Sequence, residues 1–153
     1  MANTYTQIYL QLVFAVKRRE SLIHKSWREE LYKYISGIAS AKNHKVYAIG
    51  GVEDHIHILI SCKPHLSVSE VVRDIKANSS KWINERKLTP KRFEWQNGFG
   101  AFSYSQSALG NVIRYIQNQE AHHQKKKFKQ EYINLLNTYD VPFDEKYLFE
   151  NPN

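Results

Sequence analysis

The chain has 153 residues, with 22 Lys and Arg against 15 Asp and Glu and a formal net charge of +7. That length suits one domain around one core, and the cationic excess favours a polyanionic partner, nucleic acid foremost. Cys62 is the sole cysteine, which excludes an intrachain disulfide; no apolar run reaches the ~18 residues of a membrane span and the first residues carry no leader pattern, so a cytoplasmic protein is expected.

Along 6–16, Ile8, Leu10, Leu12, Phe14 and Val16 fall on one face, and Gln7, Tyr9 and Gln11 on the other. This alternation predicts a half-buried strand. Lys17, Arg18 and Arg19 follow as a basic loop. Ser26 is placed to cap a helix running to about 42, with Leu31, Tyr34, Ile35 and Ile38 at helical spacing. A second strand is expected over 45–49, ended by Gly50 and Gly51. Glu53 and Asp54 turn the chain into a third, over 55–62, which Pro64 closes. Ser67 and Glu70 read as a capping box opening a helix to about 86. A fourth strand is expected over 99–105, then Gly110 and a helix from 111 to about 126. A further helical segment is expected over 131–136, and 140–153 reads as irregular.

This order is the split βαβ, ferredoxin-like or RRM-like pattern βαββαβ, an α+β fold. Its antiparallel sheet carries the crossover helices on one face and leaves the other open for a ligand. An added C-terminal helix bears Tyr115. The reading is one domain over 1–153, with a core of about 4–127 and a C-terminal helix and tail over 128–153.

Two local patterns could carry chemistry. In Asp54-His55-Ile56-His57-Ile58-Leu59-Ile60, strand alternation puts Ile56, Ile58 and Ile60 on the core face. His55 and His57 then share the opposite, open face, about 7 Å apart and able to converge on one divalent ion. Such a pair also describes two ordinary exposed strand histidines. In the helix that follows Gly110, Tyr115 and Gln119 stand four apart and so neighbour each other on one face. Asn111, Asn118 and His122 extend that polar stripe. A tyrosine on an amphipathic helix more often packs than reacts, and Tyr104 is the second candidate nucleophile.

Taken together, the His-hydrophobic-His strand and the later Tyr-x-x-x-Gln helix resemble the HUH nucleases. The chain is similar over nearly its whole length to the single-tyrosine transposases of the insertion sequence 200/605 group. Ile8 through Arg18, Asp74-Ile75-Lys76-Ala77-Asn78-Ser79-Ser80 and Trp95 through Ser105 share in the likeness. The resemblance implies that His55, His57 and Gln119 hold Mg²⁺ or Mn²⁺. It also implies that Tyr115 attacks a single-stranded DNA phosphodiester, leaving a 5′-phosphotyrosine that a second DNA end reseals. It further implies DNA with subterminal hairpins, and a homodimer whose active sites are shared between chains.

Basic residues supply candidate DNA contacts: Lys17, Arg18 and Arg19; Arg73, Lys76 and Lys81; and the run Lys125, Lys126, Lys127 and Lys129. Tyr9 is a candidate for stacking unpaired bases. Two other readings stay open. One is a domesticated REP-associated tyrosine transposase with the same chemistry. The other is a non-catalytic module that binds single-stranded DNA or RNA on the open sheet face.

Overall fold

The computed structural model describes residues 3–123 and 127–148. Four strands, β1 (Tyr9–Ala15), β2 (Lys45–Gly51), β3 (His55–Ser61) and β4 (Gly100–Tyr104), form one antiparallel sheet in the order β2-β3-β1-β4. The ferredoxin-like reading is correct. Helices α1 (Lys25–Ala41) and α2 (Val68–Glu85) make the two crossovers.

The alternation read in the strands sorts the residues as expected on one face. Leu12, Phe14, Ile56, Ile58 and Ile60 pack against Trp27, Leu31 and Ile35 of α1 and Val72, Ile75 and Ile83 of α2. Each such burial is worth about 1.5–3 kcal/mol, which makes this layer the main store of stability. The Ser67 hydroxyl accepts from the Glu70 amide at 3.1 Å, so the predicted cap of α2 is present. The cap expected at Ser26 is not. Extended backbone runs to His24, the helix starts at Lys25, and Ser26 lies inside it.

The second face differs from expectation. It is covered rather than open, because α3 (Leu109–Gln117) and α5 (Phe128–Thr138) both pack on it. Val112 and Ile116 of α3 lie on Ala48 and Leu59. Phe128, Tyr132 and Leu136 of α5 lie on Val13, Ala15 and Phe102. The helix expected over 111–126 is divided: α3 ends at Gln117, its C-cap Asn118 departs from helical geometry, and α4 (Gln119–His123) resumes. Gly110 belongs to α3 instead of preceding it. A short helix, α6 (Glu145–Leu148), interrupts the stretch read as irregular. Lys17–Arg19 is a 3₁₀ turn in which Arg18 and Arg19 take left-handed backbone.

Gly50 sets how closely α3 approaches the sheet. A Cβ there would stand 2.1 Å from the Ile116 carbonyl oxygen, so only glycine allows this contact. Gly50→Ala should lift α3, and Tyr115 with it. The expected cost is about 1–3 kcal/mol of overpacking, measured by urea unfolding, with a larger fractional loss of activity than of stability. An unchanged urea midpoint would show that α3 does not need this approach.

Candidate active site and metal centre

Cross-strand register places the two histidines. His55 lies opposite Ala15 and His57 opposite Val13, on the face that carries α3 and α5. Because those helices cover it, both rings are fully buried, where the sequence suggested exposure. Phe128 stacks on His55 at 4.1 Å between ring centroids, and Tyr115 stands edge-on to His57 at 5.6 Å.

The centre of the cluster is Glu131 of α5, a residue that the sequence reading missed. Its carboxylate lies 3.3 Å from His55 Nε2, 3.1 Å from His57 Nε2 and 2.9 Å from His123 Nε2. It also accepts from the Tyr115 hydroxyl, and from Gln119 Nε2 at 3.1 Å. A signal for it was present. Phe128, Tyr132 and Leu136 mark the buried stripe of this helix, and Glu131 is a lone carboxylate on that stripe. A charge there requires partners.

Gln119 joins the same cluster although it stands across a helix break from Tyr115. Its Oε1 is 3.1 Å from His55 Nε2, and its Nε2 reaches the Tyr115 carbonyl at 3.4 Å. His55, His57, Tyr115 and Gln119 are thus brought together. Asn111 and Asn118 are exposed, and His122 lies beside Tyr115, with 5.3 Å between ring centroids. Tyr104 is set apart, since its hydroxyl meets Gln11.

The residues fit a divalent cation. One ligand atom from each of His55, His57, His123 and Glu131 lies within 4.8 Å of all the others. Ligand bonds of about 2.1 Å put opposite donors about 4.2 Å apart, so a small contraction would close the set. Each strand histidine is also braced behind its ring: Asp54 meets His55 Nδ1 at 2.8 Å, and Gln11 meets His57 Nδ1 at 2.6 Å. Such outer contacts commonly orient metal-binding imidazoles.

Electrostatics follow from burial and the shared carboxylate. For His55, burial opposes the charged form, but Asp54 on one nitrogen and Glu131 on the other outweigh it, raising the pKa to about 9. For His57, burial prevails over Glu131, and the ring falls to about 4. Burial and the adjacent Glu131 carboxylate both push the Tyr115 phenol well above its usual range. In this arrangement the tyrosine keeps its proton.

The candidate DNA contacts fall into two groups. Arg73 and Lys76 line a cleft of about 430 Å³ with Ser80, Arg92 and Asn97. The Lys76 amine donates to the carbonyls of Gln96 and Gly98, and burial lowers its pKa to about 8. Lys81 lies outside that lining and faces Glu85 at 3.9 Å. Arg18 and Arg19 line a second cavity with Lys127, Lys129 and His123, the last a member of the His/Glu cluster. Lys17 points instead to Glu94, at 3.1 Å. Lys125 and Lys126 lie outside the described residues. Tyr9 does not project freely, since it packs edge-on against Tyr47 at 5.7 Å.

A split βαβ sheet with a histidine pair, a carboxylate and a tyrosine gathered under its added helices has the parts of a metal-assisted phosphoryl-transfer site. Residues 4–119 match the family described as transposase IS200 like, and the chain belongs to that family. The ISDra2 transposase TnpA of Deinococcus radiodurans is 21% identical over 118 residues, 74% of this chain and 84% of that protein. A crystal structure assigned as a transposase, also from Deinococcus radiodurans, superposes with TM-score 0.61 at 18% identity, covering 76% of this chain and 94% of that one. A REP-associated tyrosine transposase bound to a REP hairpin superposes with TM-score 0.60 at 15% identity, covering 79% and 72%. Glu131 lies beyond the segment matched to the family. No described helix is long and apolar enough to cross a membrane.

Proposed function

We propose that the chain is a DNA transposase that cleaves and rejoins single-stranded DNA through a covalent bond to Tyr115. The observation that carries this reading is the convergence of Tyr115, Gln119 and the His55–His57 pair on one buried carboxylate. His55, His57, Gln119 and Glu131 would hold Mg²⁺ or Mn²⁺, with His123 alongside. The imidazole donors suit Mn²⁺ at least as well as Mg²⁺. A divalent cation bound there supplies positive charge to the scissile phosphate.

The protein's own residues do the rest. The Tyr115 oxygen gives up its proton to water and forms a bond to phosphorus while the bond to the 3′ oxygen breaks, and the departing oxygen takes up a proton from water. The energy of the cut bond is kept in the phosphotyrosine, so resealing by another 3′ hydroxyl requires no nucleotide cofactor. Arg18, Arg19, Lys127 and Lys129, in the cavity beside His123, would guide the phosphate backbone inward. The cleft at Arg73 and Lys76 would hold an adjoining segment. The hairpin held by the REP-associated relative makes a hairpin next to the cleavage site the natural ligand here. A domesticated, REP-type role would use the same chemistry.

Joining two ends needs two nucleophiles, so the working unit is a homodimer. Within one chain Tyr115 already lies over its own His57. Sharing would therefore mean exchange of α3 and α4 about residues 105–108, which join β4 to α3. The test mixes a His57→Ala chain with a Tyr115→Phe chain, each inactive alone, in the presence of Mn²⁺ and single-stranded DNA from the flanks of the gene. Recovered adduct carried only by the His57→Ala chain is the expected result. Proven subunit exchange without recovery would rule out shared sites. Wild-type protein that forms no adduct on any flanking strand would overturn the enzyme reading and favour a binding module.

A further inference from the structure

We propose that Gln11 and Tyr104 are positioning residues that set the tautomer of His57, turning its Nε2 lone pair toward the ligand cluster. The inference rests on the reading of that cluster as a metal site. Gln11 is 1% exposed and lies diagonally between two strands. Its Oε1 is 2.6 Å from His57 Nδ1, and its Nε2 is 2.7 Å from the Tyr104 hydroxyl. A side-chain chain therefore crosses β4, β1 and β3.

Only two orders of donors and acceptors satisfy this chain. An amide oxygen only accepts, an amide nitrogen only donates, and a neutral imidazole does one at each nitrogen. In the first order Gln11 donates to Tyr104 and accepts from the His57 Nδ1–H, which leaves Nε2 free to bind a cation. In the second the amide is reversed, Nδ1 accepts, and Nε2–H donates to Glu131 at 3.1 Å. That form is well satisfied without metal, but it cannot ligate through Nε2.

Glu131 thus favours the unproductive form, and the Tyr104 hydroxyl opposes it. The structure holds the first order: Gln11 Nε2 donates to the Tyr104 hydroxyl while Oε1 faces His57 Nδ1, and the Tyr104 ring is braced edge-on against Tyr139 at 5.6 Å. His55 needs no such device. Asp54, which only accepts when ionised, stands at its Nδ1. This assigns Tyr104 a role distinct from that of nucleophile.

The test uses ¹⁵N-histidine-labelled full chain, reading the His57 tautomer from nitrogen chemical shifts and Mn²⁺ affinity from the EPR signal of free ion. Metal-free wild type should show the Nδ1–H form. Tyr104→Phe should move His57 toward Nε2–H and weaken Mn²⁺ binding about tenfold, the lower end for loss of an outer contact. Adding Gln11→Glu, whose carboxylate only accepts, should restore both readouts although the hydroxyl is still missing. A purely structural role for Tyr104 predicts no such rescue. Gln11→Glu alone should keep the Nδ1–H form, which decides the matter if the double variant fails to fold. Tyr104→Phe with unchanged tautomer and affinity, or a folded double variant without rescue, would overturn the proposal. Wild type that binds no Mn²⁺ while Tyr104→Phe still shifts the tautomer would sink the metal reading and leave the relay standing.

Discussion

Replacing Tyr115 by Phe is expected to abolish the protein–DNA adduct, with a loss of about 10³–10⁶-fold in strand cleavage, while DNA binding changes less than twofold. The substitution removes one oxygen and little else. Glu131 loses the phenolic donor but keeps His55, His123 and Gln119 as partners, so the buried carboxylate is not stranded. The ring itself still packs edge-on to His57. Electrophoresis of denatured protein with end-labelled single-stranded DNA measures the adduct, and peptide mapping of the wild-type adduct identifies the residue. At saturating Mn²⁺, Tyr104→Phe should still form it, which separates a positioning hydroxyl from a nucleophile. Adduct retained in Tyr115→Phe would refute the assignment.

If the proposed metal site operates, chelation is expected to stop cleavage without unfolding the protein, whereas His57→Ala should do both kinds of damage. The ring of His57 is fully buried between Gln11 and Glu131. Its deletion leaves a cavity and an amide oxygen without its donor. The expected destabilisation is about 2–5 kcal/mol, from the cavity and the unsatisfied buried amide together. Loss of activity in that variant therefore says little by itself. Chelation is the cleaner measurement: EDTA should remove the adduct, leave the far-UV circular dichroism unchanged and be reversed by Mn²⁺. Full activity in EDTA would exclude a metal mechanism. Urea unfolding of His57→Ala at a wild-type midpoint would contradict the burial argument.

The parts of this fold that short-range physics controls were legible from the residues. Alternation in 55–60 assigned Ile56, Ile58 and Ile60 to the core and grouped His55 with His57, because strand side chains have a period of two. Ser67 and Glu70 marked the true start of α2. Ser26 misled because capping depends on where the chain turns as well as on residue type, and the turn comes at His24. The break at Asn118 was not legible, since neither Pro nor Gly marks it. Even so, Gln119 stays beside Tyr115, so the spacing argument reached the correct pair through the wrong geometry.

The larger miss was the cover over the histidines. Periodicity shows which residues share a face, but not which distant element will sit on it. That depends on long-range packing of Phe128, Tyr132 and Leu136 against β1 and β4. The same packing delivers Glu131. An isolated acid on an apolar helical stripe points to a buried partner without naming it, and the partner here lies more than seventy residues earlier in the chain.

The burial of His55 beneath Phe128 also has a kinetic consequence. A phosphate group cannot reach an ion held by these rings until the aromatic cover and its helix give way. On the proposed reading, binding and bond-breaking are then separated by an opening step. At rising DNA concentration the rate of adduct formation should level off at the frequency of that opening. The plateau would respond to changes in the packing of α5 and hardly at all to the identity of the leaving strand.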